Sequence, residues 1–153
     1  MDNKGKITHI LQAAQQRGKE SKLAYRGALL PIEAGEILQS TLDAKLVDVR
    51  SRAELDWVGR VPESLEIEWA SYPGMNPNPD FLAQLEQQVG KETLLLFLCR
   101  SGTRSHHAAA LATQAGYGNC YNVLEGFEGN KDSEGHRNII SGWRVAGLPW
   151  QQS

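Results

Sequence analysis

Short apolar stretches recur along this chain, and amphipathic segments separate them. The most apolar stretch is residues 93–98, which predicts a strand buried on both faces, as at the centre of a parallel sheet. Residues 45–49 and 121–124 predict two further strands of the same kind. Residues 65–68 alternate apolar and polar side chains and therefore predict a strand nearer the sheet edge.

Helices are predicted between these strands, because apolar side chains recur there at helical spacing. Pro31 suits the first position of a helix that continues through Gln39. Residues 53–58, 80–90 and 104–115 predict three more helices. The order of elements predicts an α/β domain with three layers, in which helices flank a central, mainly parallel sheet.

The first residues of the chain carry a separate amphipathic pattern. Residues 7–17 predict a helix that packs on the main domain, and Gly18 follows at the position of a helix C-cap. Residues 72–79 are rich in Pro, Asn and Gly and predict a loop. We divide the chain into an N-terminal helical extension, residues 1–26, and a main domain, residues 27–153.

Composition narrows the class of protein without identifying it. The chain has 153 residues, 41% of them hydrophobic and 22% charged, as in an average soluble domain. A formal net charge of -2 gives no electrostatic footprint for nucleic acid or an anionic membrane. The apolar runs are too short for a signal peptide or a membrane span. We therefore expect a cytoplasmic protein whose two cysteines are free thiols.

Three of the predicted strands bring polar or reactive residues to one edge of the sheet. Residues 48–50, Cys99 and residues 125–126 all lie at the carboxyl ends of strands. Functional sites of open parallel sheets lie at this edge. These three segments therefore predict one shared site.

Cys99 is the strongest candidate for chemistry in this group. A cysteine after an apolar strand is often only a small buried side chain. Residues 100–104, Arg-Ser-Gly-Thr-Arg, favour a different interpretation. Gly102 permits a sharp turn, whose N–H groups can form an anion-binding nest at the start of the next helix. Such a nest stabilises a thiolate, which is the nucleophilic form of cysteine.

Residues 99–104, which we call the Cys99 loop, resemble the active-site loop of rhodanese domains. Four further stretches resemble the family in the same order along the chain: residues 47–50 with Glu54, residues 59–62, residues 124–126 and residues 142–150. The resemblance covers roughly residues 27–150. Three positions depart from the usual pattern: Arg60 replaces a commoner histidine, and Glu63 and Phe127 replace glycines.

The resemblance implies a rhodanese-like fold, with a five-stranded sheet, and a sulfurtransferase that needs no cofactor and no metal. Cys99 would take a sulfane sulfur from thiosulfate or another persulfide and pass it to cyanide, a small thiol or a protein thiol. Arg100, Ser101, Gly102, Thr103 and Arg104 would bind the substrate and the persulfide. Arg100 and Arg104 are candidates for orienting an anionic donor, although either could instead form a structural salt bridge.

Other activities remain open at this point. The chain could be a persulfide carrier or an interaction module in a sulfur-relay pathway, with little turnover of small molecules. It could also be a non-catalytic scaffold. Related phosphatases place five residues between their cysteine and arginine, whereas four separate Cys99 from Arg104, so a phosphatase is disfavoured.

Several other residues have structural interpretations. Asp48 and Arg50 are expected to form a buried ion pair or to anchor a loop. Cys120 precedes its strand whereas Cys99 follows its own, so the two thiols should lie at opposite ends of the sheet, beyond disulfide reach. His106 and His107 point in different directions on a helix and cannot share one metal.

Overall fold

The computed structural model of the protein describes residues 2–153. These residues form five helices and seven strands in the following order: α1 (Asn3–Glu20), β1 (Gly27–Leu29), α2 (Pro31–Ser40), β2 (Ala44–Asp48), α3 (Arg52–Trp57), β3 (Leu65–Glu66), β4 (Ala70–Ser71), β5 (Asn76–Pro77), α4 (Phe81–Gln88), β6 (Leu94–Leu98), α5 (Thr103–Gln114) and β7 (Cys120–Val123). Within the described range, no helix combines the length and apolar character that crossing a membrane requires.

Five of the strands form one parallel sheet in the order β1-β7-β6-β2-β3. The apolar strand β6 lies at its centre and β3 at one edge, which confirms both predicted positions. Leu95 to Leu98 are fully buried because helices cover both faces of this strand. The predicted α/β class with a five-stranded sheet is therefore confirmed.

The two faces of the sheet carry separate hydrophobic clusters, which make the three layers. Leu96 and Leu98 of β6 face a cluster that includes apolar side chains of α1 and α2. Leu95 and Phe97 face the opposite cluster, which includes side chains of α4 and α5. The alternation of β6 side chains between these clusters follows from the period-2 geometry of a strand.

The N-terminal part differs from the prediction in two ways. Gly18 lies inside α1 and does not end it, since the helix continues to Glu20. A glycine is needed there because a Cβ atom at Gly18 would lie 2.8 Å from the carbonyl oxygen of Arg26. The edge strand β1 was not predicted, because its three residues are too few to show a pattern.

The 72–79 loop also contains a strand, β5, which pairs with β4.

We predict that Gly27→Ala destabilises the protein by about 1–3 kcal/mol, since overpacking costs that much in a tight interior. A Cβ atom at Gly27 would lie 2.5 Å from the carbonyl oxygen of Ala14 and would push α1 away from β1. The free energy of unfolding in urea measures this loss. Gly118→Ala is the matched control, because nothing lies within 4 Å of its Cβ position. Equal stabilities of the two variants would contradict the prediction.

Candidate active site at the carboxyl edge of the sheet

The ends of β2, β6 and β7 meet at one edge, as the sequence predicts. Cys99 directly follows β6, the pair Asp48 and Arg50 lies at the end of β2, and Glu125 and Gly126 follow β7. These strands are neighbours in the sheet, in the order β7-β6-β2. The segment around Cys99 is therefore enclosed on both sides by the segments that follow its neighbours.

Cys99 lies at the floor of this edge, with 1% of its surface exposed. The backbone N–H of Gly102 donates to its Sγ over 3.1 Å, and the hydroxyl oxygen of Ser105 lies 3.3 Å from Sγ. Gly102 has a φ of +109°, a conformation that favours glycine, and it immediately precedes α5. The sulfur therefore faces the N-terminal end of a helix, where backbone donors and the helix dipole favour an anion.

The remaining residues of the Cys99 loop have different surroundings. Of the N–H groups of residues 100–104, that of Gly102 donates a hydrogen bond to Cys99 Sγ. Thr103 is exposed and begins α5, and Ser101 is half-buried. Arg100 is exposed and has no salt bridge to any carboxylate among residues 2–153.

Arg104 binds Glu54 of α3 through both terminal nitrogens, over 2.7 and 2.9 Å. Glu54 also accepts hydrogen bonds from the N–H and hydroxyl of Ser51, which caps α3. Burial alone would raise the pKa of Glu54. The hydrogen bonds and charge of Arg104, together with Ser51, outweigh burial and lower this pKa from 4.5 to about 2. Arg104 thus joins the first turn of α5 to the first turn of α3.

The turn after β7, residues 124–128, covers the Cys99 loop, and we call it the covering turn. The N–H of Phe127 donates to the carbonyl oxygen of Cys99 over 2.8 Å, and the N–H of Glu128 donates to that of Arg100 over 3.0 Å. Gly126 permits this approach, because a Cβ atom there would lie 2.5 Å from the carbonyl carbon and oxygen of Arg100. The backbone of the Cys99 loop is therefore fixed from one side.

A buried ion pair, Asp48 with Arg50, packs against the covering turn. Arg50 and Asp48 are fully buried and bound over 2.7 Å, as expected for a structural pair. The guanidinium of Arg50 also donates to the carbonyl oxygen of Gly59 and lies 4.1 Å from the centre of the Phe127 ring. Phe127, which replaces a usual glycine, is thus held by a cation–π contact.

Ser105 and Asn122 belong to the site although the sequence analysis did not select them. The Ser105 hydroxyl lies 2.6 Å from Asn122 Oδ1, and Asn122 Nδ2 donates to the carbonyl oxygen of Gly102 over 3.1 Å. One signal could have indicated Asn122: it is a polar residue within the apolar segment that forms β7. A buried polar side chain requires hydrogen-bond partners, and the loop provides them.

Cys120 lies far from the Cys99 sulfur, and His106 is hydrogen-bonded to another side chain. Cys120 pairs in register with Leu95, at the opposite end of the sheet from Cys99, and both thiols are free. Burial raises the pKa of Cys120 to about 11, which makes it a poor nucleophile. His106 Nδ1 lies 2.7 Å from the hydroxyl oxygen of Tyr25, at the back of the loop.

Two depressions flank the Cys99 loop. The larger, of about 570 Å³, includes Arg100, Arg104 and Glu54 in its wall. The smaller, of about 400 Å³, lies between α1 and the back of the loop, against Gly102 and His106. Arg100 and Arg104 thus line the larger depression, Gly102 and Thr103 line the smaller one, and the buried Cys99 lines neither.

Comparisons with known proteins identify the family to which this fold belongs. The pattern of the rhodanese-like domain family matches residues 31–133, more than half of the chain. The match ends before residues 142–150, which the sequence resemblance had included. The chain is 32% identical over 113 residues to a sulfurtransferase of Allochromatium vinosum, covering 73% of this chain and 82% of the relative. The chain belongs to the rhodanese-like domain family, which includes sulfurtransferases.

Two further relatives cover more of the chain. An uncharacterized protein of Rickettsia rickettsii is 38% identical over 125 residues, which span 78% of this chain and 92% of the relative. Rv0390 from M. tuberculosis, whose crystal structure is known, is 44% identical in sequence to this chain. The two structures align with a TM-score of 0.77 over 84% of this chain and 99% of that one. The similarity thus extends beyond the residues that the family pattern matches.

We predict that Glu54→Gln destabilises the protein by about 1–2 kcal/mol at neutral pH, which allows for partial exposure of the pair. Because folding lowers the pKa of Glu54 to about 2, its contribution is present above pH 4.5 and is lost as the pH falls toward 2. The stabilities of the wild type and the variant should therefore converge over that range in urea titrations. Glu36→Gln, which removes a more exposed pair, should change little. A stability difference that does not vary with pH would refute this account.

Proposed function

We propose that the protein is a sulfurtransferase that carries a sulfane sulfur on Cys99 as a persulfide. The observation that supports this proposal most directly is the position of Sγ, which receives the Gly102 N–H at the N-terminal end of α5. A helix N-terminus stabilises a thiolate and equally a persulfide anion. Membership of the rhodanese-like domain family supports the same chemistry.

In the first step, the Cys99 thiolate attacks the outer sulfur of an anionic donor such as thiosulfate. A bond forms between Sγ and that sulfur, the donor's S–S bond breaks, and sulfite leaves with the electron pair. The Cys99 thiol must lose its proton to solvent or buffer before this attack. No separate oxidant is required, because the donor already contains sulfur at the sulfane level.

In the second step, an acceptor nucleophile attacks the outer sulfur of the persulfide. With cyanide as acceptor the product is thiocyanate, and with a thiolate it is a new persulfide. In both cases the Cys99 thiolate is the leaving group. Dividing the transfer into two displacements is the general advantage of a covalent intermediate. The outer sulfur would lie about 2 Å beyond Sγ, and we assign its binding to further N–H groups of residues 100–104.

Arg100 and Arg104 have different roles in this proposal. Both nitrogen ends of Arg104 are engaged by Glu54, so this arginine positions the first turn of α5. Arg100 is exposed in the wall of the larger depression and remains available for an anion. We assign donor attraction to Arg100, because an arginine can bind two oxygens of an oxyanion at once.

We predict that Cys99→Ser abolishes thiosulfate:cyanide sulfurtransferase activity, because serine cannot form the persulfide. Treatment of the wild type with thiosulfate should add the mass of one sulfur atom, and this addition should be absent in Cys99→Ser. Colorimetric thiocyanate assays and intact-mass spectrometry measure the two outcomes. Cys120→Ser is the matched control and should behave as the wild type, since Cys120 lies at the other end of the sheet.

The two measurements also separate an enzyme from a carrier. A stable sulfur adduct on Cys99 without thiocyanate formation would support a persulfide carrier over a small-molecule enzyme. Absence of the adduct with thiosulfate, polysulfide and a cysteine persulfide donor would overturn the proposal as a whole.

A further inference from the structure

The hydroxyl of Ser105 lies between two acceptors at the floor of the site. Its oxygen is 3.3 Å from Cys99 Sγ and 2.6 Å from Asn122 Oδ1. Ser105 is fully buried and Asn122 is 3% exposed, so bulk water offers the hydroxyl no other partner. A serine hydroxyl has one proton and donates to one of two such acceptors at a time. The sulfur and the amide oxygen therefore compete for this proton.

Asn122 is held in the orientation that presents its oxygen to Ser105. Its Nδ2 donates to the carbonyl oxygen of Gly102 over 3.1 Å. Turning the amide over would bring Oδ1 against this carbonyl oxygen, and neither oxygen carries a proton to share. The backbone of Asn122 is fixed as well, because β7 lies between β1 and β6, where Asn122 pairs in register with Ala28 and Phe97.

A neutral Cys99 thiol completes a chain of hydrogen bonds through these side chains. Its S–H donates to the Ser105 oxygen, and the Ser105 hydroxyl donates to Asn122 Oδ1. Consecutive hydrogen bonds of this kind polarise and strengthen one another in a buried site. Asn122 thereby stabilises the thiol, which is the poorly nucleophilic form of cysteine.

Ionisation of Cys99 breaks this chain at both ends. The thiolate has no proton to donate, and it attracts the Ser105 hydroxyl because a charge-assisted hydrogen bond is roughly twice as strong as a neutral one. When the hydroxyl rotates toward Sγ, Asn122 Oδ1 is left as a buried acceptor without its donor, which costs free energy. The presence of Asn122 therefore makes the thiolate harder to form.

We infer that Asn122 restrains the reactivity of Cys99 by competing with the thiolate for the proton of Ser105. Ser105 favours the thiolate, and Asn122 favours the thiol. The N–H of Gly102 does not take part in this competition, since it donates to Sγ independently of the hydroxyl. The balance between the two forms of Cys99 is therefore adjusted by two buried side chains outside the Cys99 loop.

Several charged or titratable groups in the segments around Cys99 also affect its ionisation. They are Arg100, Arg104 with Glu54, Arg50 with Asp48, His106, and the covering-turn residues Glu125 and Glu128. A test of the inference must leave all of them in place. Substitutions at Ser105 and Asn122 meet this condition, because both side chains are uncharged.

The first test measures how fast iodoacetamide alkylates Cys99 at different pH values, in a Cys120→Ser background. Ser105→Ala removes a donor to the thiolate, so alkylation at pH 7 should be about tenfold slower, as for loss of a hydrogen bond to a charged group. At the alkaline plateau, where Cys99 is fully ionised, Ser105→Ala should no longer be slower. Thr113→Ala is the matched control: it also removes a hydroxyl from α5, but one that donates to the carbonyl oxygen of Ala109.

The second test removes the competing acceptor. Asn122→Leu has a similar size but no amide, so it frees the Ser105 proton for the sulfur and should accelerate alkylation at pH 7 about threefold. The double variant Ser105→Ala/Asn122→Leu should react like Ser105→Ala alone, because no proton is then left to compete for. Both variants with leucine lose the hydrogen bond to the Gly102 carbonyl, so this comparison cancels that loss.

Circular dichroism melting curves show whether each variant is folded, and Asn122→Val, which suits a strand, replaces Asn122→Leu if the latter is not. Slower alkylation in the folded Asn122 variant, or the same acceleration with and without Ser105, would overturn the inference. So would a deficit of Ser105→Ala that persists at the alkaline plateau, since a merely structural role of the hydroxyl predicts that result. Alkylation requires no sulfur donor or acceptor, so these outcomes are independent of whether the protein transfers sulfur.

Discussion

The hydrogen bonds from the covering turn to the carbonyl groups of Cys99 and Arg100 determine the geometry of the site. These two carbonyls accept hydrogen bonds from Phe127 and Glu128. A trans peptide points its C=O and the following N–H in opposite directions. The N–H groups of Arg100 and Ser101 must therefore point away from the covering turn. The turn is close enough only because residue 126 is glycine, so this one position fixes the direction of the loop donors.

The arginines near the site show how burial decides between structure and function. Arg50 is fully buried, and Asp48 neutralises it, because an unpaired buried charge is very costly. Arg104 is less buried, and Glu54 binds both of its nitrogens. Arg100 is exposed to water and needs no partner for stability. Of these three arginines, Arg100 is therefore the one whose charge is left unpaired at the mouth of the site.

The strand ends that form the candidate site could be recognised from the sequence, but the contacts inside the site could not. The apolar run of β6 and the glycine-containing segment after Cys99 are local patterns, so both could be recognised from the chain alone. The contacts of Ser105 with Asn122 join residues that are 17 positions apart and depend on the alignment of β6, β7 and α5. The departures at Glu63 and Phe127 also became interpretable only in three dimensions. Glu63 adopts a φ of +67°, which explains why glycine is usual there, and Phe127 stacks on Arg50.

The N-terminal helix α1 lies outside the residues that match the family, and it supports the site indirectly. It packs on β1, and Gln15 of α1 also donates to the hydroxyl of Tyr121 in β7. Because the covering turn begins directly after β7, any shift of this strand moves the donors that hold the Cys99 and Arg100 carbonyls. Tyr25, in the connection after α1, reaches His106 in the first turn of α5. The extension thus stabilises both the strand behind the covering turn and the helix whose N-terminus faces the sulfur.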